Sequence, residues 1–335
     1  MRPFEAPLWA RNPHTQTLLG ASIDRMGQEI VLARERVTLP DGDFLDLDWL
    51  RSPPTPGPIL LILHGLEGSS RSPYIARLLR MCERAQWNAV VMHFRGCSGE
   101  PNQLPRSYHG GDTSDLQAVV DILTRRHDQG LCAVGYSLGG SVLLKWLGER
   151  RSDAGLRATA AVSVPFDLAS AAARLDSGFS RLYQWVLLRW LRQSVARKAR
   201  RLGHDTPPLK GLRTFRDFDG VITAPLHGFR DADDYYARAS CRPYLRHIEV
   251  PTLLVQAADD PFLMPGSTPN PDELAPAVHL ELSPCGGHVG FISGGTPWAP
   301  RFWLEDRLKA FFGPAMRLGP GPFYSSDAAR ASTGA

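Results

Sequence analysis

The sequence predicts an α/β protein with a mostly parallel central sheet, antiparallel strands at its N-terminal end and helices on both faces. From residue 59 onward, short apolar runs alternate with helical patterns, and the first three runs each end in a glycine-rich turn. Such runs are typical of strands buried in a parallel sheet. Alternating polar and apolar residues upstream predict the antiparallel strands. A long helical insertion over residues 166–246 interrupts the repeat.

The N-terminal part predicts an irregular start and then a hairpin. Residues 1–28 show no periodicity and contain the turn-prone run Arg11-Asn12-Pro13-His14-Thr15-Gln16-Thr17, so we expect no regular element there. Apolar and polar residues alternate over residues 29–39 and 44–50, with Pro40-Asp41-Gly42-Asp43 between them. A turn-forming cluster between two alternating runs predicts an antiparallel hairpin.

The repeating part of the chain predicts six further strands and the helices between them. The predicted strands are residues 59–63, 89–94, 131–136, 158–164, 251–256 and 278–282. The predicted helices begin at residues 73, 113 and 141, and a closing helix covers residues 299–312. Ligands bind at the carboxyl ends of parallel strands, so a functional site is expected in the turns that follow them.

Length and composition fit one globular domain, which we expect over residues 1–312, with residues 166–246 as a helical cap and 313–335 as a disordered tail. The net charge of +4 gives no reason to expect a nucleic-acid partner. Five cysteines without a C-x-x-C pair predict reduced thiols. The chain start lacks the apolar core of a signal peptide and no apolar run is long enough for a membrane span, so a cytoplasmic protein is expected.

A nucleophilic serine is predicted at the turn after the strand at residues 131–136. There, Gly135-Tyr136-Ser137-Leu138-Gly139 ends an apolar strand and opens a helical pattern. In that context Gly-x-Ser-x-Gly is the signature of a strained strand-to-helix turn that exposes a serine hydroxyl. An ordinary glycine-rich turn is the alternative interpretation.

The partners that such a serine needs follow at later strand ends. A serine hydroxyl attacks efficiently when a histidine accepts its proton and a carboxylate orients that histidine. The turns after the last two predicted strands carry Asp259-Asp260 and His288. Asp260 is the preferred acid because it directly precedes Pro261 and is better placed to turn inward. A pair of turn-forming aspartates and a solvated loop histidine are the alternatives.

Three other histidines compete for the role of base. His64, His93 and His109 all precede Ser137, whereas the expected chain order is Ser, Asp, His. For His64 we expect packing and hydrogen bonding beneath its glycine turn.

Two backbone N–H groups are candidates for stabilising a developing oxyanion. Leu138 directly follows the serine, and Leu66 lies in the glycine-containing loop after the strand at residues 59–63. A simple glycine turn at Leu66 is the alternative. The sequence contains no metal-ligand cluster, phosphate-cradling loop or dinucleotide fingerprint, so no metal or cofactor is predicted.

Several motifs together resemble the YheT-like branch of the α/β-hydrolases, which is related to the animal abhydrolase-domain lipases. The resemblance covers about residues 8–312, and its motifs are Arg11-Asn12-Pro13-His14-Thr15-Gln16-Thr17, His64-Gly65-Leu66-Glu67-Gly68-Ser69, Phe94-Arg95-Gly96-Cys97-Ser98-Gly99-Glu100-Pro101-Asn102, Tyr108-His109-Gly110-Gly111-Asp112, Gly135-Tyr136-Ser137-Leu138-Gly139-Gly140, Asp259-Asp260-Pro261-Phe262 and Gly286-Gly287-His288-Val289-Gly290-Phe291. The resemblance implies an α/β-hydrolase fold and a carboxylic-ester hydrolase with Ser137 as nucleophile, Asp260 as acid and His288 as base.

The sequence therefore predicts a serine esterase for short to medium acyl esters that works through an acyl-enzyme. A membrane-associated lipase or acyltransferase and a non-catalytic binding protein with the same fold are the alternatives. Within the cap, Trp185 and Trp190 are candidates for lining an acyl pocket. The basic helix over residues 179–202 suits weak contact with an anionic membrane, although packing on the core with solvated arginines is the preferred interpretation.

Overall fold

The computed structural model describes residues 3–23 and 30–317, and within these ranges eight strands form one sheet. In chain order they are β1 (Ala33–Thr38), β2 (Phe44–Trp49), β3 (Ile59–Leu63), β4 (Asn88–Met92), β5 (Leu131–Tyr136), β6 (Leu156–Val162), β7 (Thr252–Ala257) and β8 (Val278–Ser283). Their spatial order is β1-β2-β4-β3-β5-β6-β7-β8. The β1–β2 and β2–β4 pairs are antiparallel and the other neighbours are parallel, which confirms the predicted sheet.

Helices connect the strands. The α-helices of the described residues are α1 (Pro13–Ser22), α2 (Pro73–Arg84), α3 (Thr113–Arg126), α4 (Leu138–Arg150), α5 (Leu168–Leu175), α6 (Ser180–Leu202), α7 (Phe215–Phe218), α8 (Ala224–Leu226), α9 (Ala232–Ala239) and α10 (Leu304–Phe312). A π-helical turn over Asp219–Thr223 joins α7 to α8. Beside the main sheet, β9 (Ile292–Thr296) and β10 (Ala299–Phe302) form an antiparallel hairpin.

Helices cover both faces of the sheet, as predicted. Strand β3 is buried along its whole length, and its side chains alternate between the two faces because successive residues of a strand point in opposite directions. Leu60 and Ile62 belong to the core beneath α2 and α10. Leu61 and Leu63 belong to the core beneath α3 and α4.

The prediction of no regular element near the N-terminus was wrong, because residues 13–22 form helix α1. The side chain of Asn12 accepts hydrogen bonds from two backbone N–H groups of the first turn, and proline is favoured at the first helical position. The buried residues of α1 are Gln16, Thr17 and Gly20. These residues are polar or small, so the helix carries no hydrophobic periodicity from which it could be predicted.

The predicted closing helix is correct only from Leu304 onward. Residues 299–302 are strand β10 instead, because their backbone pairs with β9, a tertiary contact that the local pattern does not encode. Residues 313–317 follow α10 as turns, with Ala315 and Met316 buried. The remainder of the predicted tail, residues 318–335, lies outside the described residues, as does residue 29 of the predicted hairpin.

The insertion between β6 and β7 contains helices α5 to α9. Its longest helix, α6, has 23 residues, and seven of them are Lys or Arg while none is Asp or Glu. Across the described ranges, no helix combines the length and apolar character that crossing a membrane requires.

Candidate active site

Ser137 lies in a strained turn between β5 and α4. Its backbone has φ 51° and ψ −119°, in a region that non-glycine residues seldom adopt. The Ser137 N–H donates to the carbonyl of Val162 on the neighbouring strand at 2.8 Å, which fixes the turn. The strain and its position at a strand end agree with the predicted exposure of the hydroxyl.

A chain of hydrogen bonds joins the serine, the histidine and one aspartate. Nε2 of His288 is 3.0 Å from Oγ of Ser137, and Nδ1 is 2.8 Å from Oδ2 of Asp260. The buried Asp260 carboxylate also accepts hydrogen bonds from the N–H of Phe262 at 2.8 Å and from Nε2 of Gln256 at 3.3 Å. A carboxylate can only accept, so Nδ1 donates and Nε2 is left to accept a hydrogen bond from the Ser137 hydroxyl.

The neighbouring Asp259 makes a different contact. Its Oδ1 accepts a hydrogen bond from the N–H of Gly287 at 2.9 Å. Burial raises the pKa of the Asp259 carboxyl, and the hydrogen bond from Gly287 opposes that effect. The structure therefore brings Asp260 to the imidazole and uses Asp259 to hold the loop that carries His288.

Helix α1 holds the histidine loop from one side. The His288 N–H donates to Oγ1 of Thr17 at 2.9 Å, and on the other side the Val289 N–H donates to Oγ of Ser163 at 2.9 Å. A Cβ on Gly290 would lie 2.6 Å from the carbonyl oxygen of Gln16, so only glycine allows this approach. Sequence reasoning missed this role of Gln16 and Thr17, which it noted only as part of the motif Arg11-Asn12-Pro13-His14-Thr15-Gln16-Thr17.

Aromatic rings cover the imidazole. The Phe262 ring stacks on His288 with centroids 3.9 Å apart and an interplanar angle of 4°. Tyr183 of α6 lies against Phe262 at 5.1 Å, and its hydroxyl is 3.1 Å from Nδ1 of His14 on α1. These contacts restrict rotation of the imidazole and link it to α1 and α6. The sequence did not predict this stacking, because Phe262 was noted only as the last residue of the Asp-Asp-Pro-Phe motif.

The two predicted oxyanion donors lie on adjacent strand ends. The loop containing Leu66 follows β3 and Leu138 follows β5, and a Cβ on Gly65 would be 3.3 Å from Cβ of Ser137. The flanking N–H groups of Gly65 and Glu67 donate to tyrosine hydroxyls. Among the described residues, no acceptor contacts the Leu66 N–H. Leu138 is the first residue of α4, where N–H groups lack intrahelical acceptors.

The three competing histidines have other partners and do not contact the serine. His64 is buried, its Nδ1 donates to the adjacent carbonyl at 2.7 Å, and burial lowers its pKa to about 3. This confirms the expected packing beneath the turn. Nε2 of His93 is 2.8 Å from the Asp48 carboxylate. His109 packs edge-on against His227, and burial lowers the pKa of His109 to about 4.

Comparison with known proteins identifies the family of the chain. A family model described as the alpha/beta hydrolase fold matches residues 58–295, well over half of the chain. The chain belongs to the α/β-hydrolase family. It is 43% identical over 304 residues to the Escherichia coli protein YheT, which carries a provisional esterase name, with 89% of each chain covered. This α/β-hydrolase therefore lies in the YheT-like branch, as the motifs indicated.

More distant relatives share most of the chain. The mouse protein named phospholipase ABHD3 is 30% identical over 321 residues, covering 92% of this chain and 77% of its own. Among solved structures, the Pyrococcus furiosus esterase Pf2001 aligns with a TM-score of 0.55 and 16% identity, covering 95% of this chain and all of its own. At that identity the likeness concerns the fold alone.

A large, mainly apolar cavity opens on the serine of this α/β-hydrolase. Its volume is about 1030 Å³, at the upper end of ligand sites, which run to roughly 1,000 Å³. Ser137 and His288 lie in its wall, and α6 contributes one apolar face along its length, with lining residues Leu182, Val186, Leu187, Trp190, Leu191 and Val195. Trp190 thus lines the cavity as predicted, whereas Trp185 does not and is exposed to solvent instead.

Polar contacts hold α6 against the loops beside the serine. The Glu67 carboxylate, next to Leu66, accepts hydrogen bonds from the Tyr108 hydroxyl at 2.9 Å and from the hydroxyl of Ser194 on α6. Further along the helix, Nζ of Lys198 donates to Oδ1 of Asn102 at 2.8 Å. Burial lowers the pKa of Lys198 to about 8. These hydrogen bonds connect α6, which covers the cavity, to the loops after β3 and β4.

Proposed function

We propose that this α/β-hydrolase cleaves carboxylic esters by an acyl-enzyme route. The observation that carries the proposal is the hydrogen-bonded chain from Ser137 Oγ through His288 to Asp260, which faces an apolar cavity. A structural turn has no need of a strained serine, an oriented imidazole and a buried carboxylate in this order.

In the proposed reaction, Oγ of Ser137 attacks the ester carbonyl carbon while Nε2 of His288 takes the hydroxyl proton. The tetrahedral oxyanion accepts hydrogen bonds from the N–H groups of Leu66 and Leu138. The intermediate collapses, the C–O bond to the alcohol breaks and His288 returns its proton to the leaving alkoxide. Water then attacks the acyl-enzyme by the same sequence and releases the acid. Asp260 stays ionised and stabilises the imidazolium in both halves.

The N-terminus of α4 adds to the proposed stabilisation. The helix begins at Leu138, directly beside the serine, and the N-terminus of a helix carries partial positive charge. The helix N-terminus therefore stabilises the negatively charged oxygen of the transition state more than it stabilises the neutral carbonyl oxygen of the bound ester.

The cavity supports acyl groups of short to medium length and also favours a second candidate, hydrolysis of lipid acyl esters. A volume of about 1030 Å³ leaves room beyond a short acyl group. The name of the mouse relative, a phospholipase, points the same way. Both candidates use the same chemistry and differ only in what occupies the apolar space.

A series of p-nitrophenyl esters from acetate to palmitate tests the proposal, with phospholipid dispersions as a separate arm. We expect turnover with a maximum at short to medium chains, and a loss of about 10⁴-fold or more in Ser137→Ala. Preference for the longest chains together with phospholipid cleavage would favour the second candidate. Unchanged ester hydrolysis by Ser137→Ala, with its fold verified by circular dichroism, would refute the mechanism.

A further inference from the structure

Helix α6 exposes both tryptophan and arginine side chains to solvent. Trp185 is 57% exposed and Trp190 is 47% exposed. The guanidinium of Arg189 lies 5.9 Å from the Trp185 ring centroid, within cation–π range. Large apolar side chains that stay exposed and cluster on one element mark an interaction surface more often than isolated ones do.

Part of this surface coincides with the entrance to the cavity. Leu182, Trp190 and Val221 all line the cavity, yet each leaves nearly half of its surface exposed. Such residues stand where the cavity meets solvent. We call the surface formed by Leu182, Trp185, Arg189, Trp190 and Val221 the mouth face.

Helix α6, which provides four of the five residues of the mouth face, carries charge of one sign. Helix α6 contains seven basic residues and no acidic one. Its only ion pair among the described carboxylates is a long contact of 3.9 Å between Arg181 and Asp176. Arg189 and Arg200 are exposed, and no described carboxylate lies within ion-pair distance of either. Unpaired guanidinium groups leave an attractive field for an anionic surface.

We propose that the mouth face docks onto an anionic lipid bilayer. Tryptophan is favoured at the headgroup level, where its ring is half apolar and half polar, and arginines beside it suit lipid phosphates. A nucleic acid would satisfy the arginines but would leave the apolar mouth residues without a matching surface. A bilayer satisfies both and brings apolar acyl chains to the cavity entrance.

Co-sedimentation with vesicles tests this proposal without any ester assay. Vesicles of phosphatidylglycerol mixed with phosphatidylcholine are compared with pure phosphatidylcholine, at low and at physiological salt. The test variant is Arg189→Gln with Arg200→Gln, two positions that do not line the cavity. The control is Arg125→Gln with Arg150→Gln, which removes the same amount of charge. Both residues are exposed and lie in the last turns of α3 and α4, at the amino ends of the parallel strands and away from the cavity.

We expect salt-sensitive binding to the anionic vesicles and little binding to phosphatidylcholine alone. A basic residue near an anionic surface strengthens binding about 5-fold, so the test variant should bind about 25-fold more weakly and the control variant much less so. Trp185→Ser should also reduce binding. Ser137→Ala should bind like the unaltered protein, so failure of the proposed chemistry would not affect the result. Absence of binding at low salt, equal losses in both double variants, or tighter binding to duplex DNA than to vesicles would overturn the proposal.

Discussion

Replacing Asp260 by Asn is expected to lower kcat/KM for an ester substrate by about 10⁴-fold. The carboxylate oxygen that now lies 2.8 Å from Nδ1 of His288 would become part of an amide. An amide that presents its NH₂ group favours the other imidazole tautomer, in which Nε2 carries the proton and is unable to accept one from Ser137. The fold should survive because Asn has nearly the same shape.

The adjacent aspartate provides the matched control. Asp259→Asn keeps an oxygen that accepts a hydrogen bond from the Gly287 N–H. The substitution therefore removes only the contribution of the negative charge to that hydrogen bond, which is about 1 kcal/mol. We expect a change of less than about 10-fold in kcat/KM. Steady-state kinetics of both variants decide the assignment. Equal losses, or a larger loss in Asp259→Asn, would contradict the role given to Asp260.

Replacing Gly139 by Ala is expected to destabilise the protein by about 3 kcal/mol, the upper part of the usual range for overpacking. An added Cβ would lie 2.4 Å from the carbonyl oxygen of His64 and 2.8 Å from that of Leu63. Both neighbours are backbone atoms, so neither is able to move away cheaply. The start of α4 would have to shift away from the loop that carries Leu66, and ester hydrolysis should fall as well.

Gly220 supplies the control for this steric argument. It also lies in a helical segment, but the nearest atom to its added Cβ is 4.0 Å away and its φ is not in the left-handed region. Gly220→Ala should therefore not destabilise the protein, and it should raise the free energy of unfolding by at most about 1 kcal/mol. Urea unfolding of the two variants gives the comparison. A Gly139→Ala protein as stable as the unaltered one would show that the close packing of α4 on β3 is not required.

The central sheet and the position of the site could be predicted because both depend on local signals that repeat. Each parallel strand is a short apolar run, several of these runs end in a glycine-rich turn, and the carboxyl ends of such strands meet at one edge. Ser137, Asp260 and His288 each follow a strand, so it could be predicted that they lie close together without knowing how the loops fold. The strand order of the sheet then brings the Leu66 loop beside Ser137.

The parts that could not be predicted depend on tertiary contacts. Helix α1 buries Gln16, Thr17 and Gly20, so its inner face resembles a polar loop in the sequence. Strand β10 exists because β9 pairs with it, and its own residues carry no strand pattern. The stacking of Phe262 on His288 and the exposure of Trp185 depend on how separate segments pack, which periodicity within one segment does not report.

The central claim is that His288 activates Ser137 as a nucleophile, and covalent labelling of the native protein with a fluorophosphonate tests it most directly. The reagent reacts with an activated serine hydroxyl, and mass spectrometry of the peptides locates the adduct. We predict one adduct on Ser137, none in Ser137→Ala, and labelling slowed by at least about 10³-fold in His288→Ala. No adduct on the native protein, or an adduct on a different serine, would contradict the claim and favour a non-catalytic binding protein that keeps the fold.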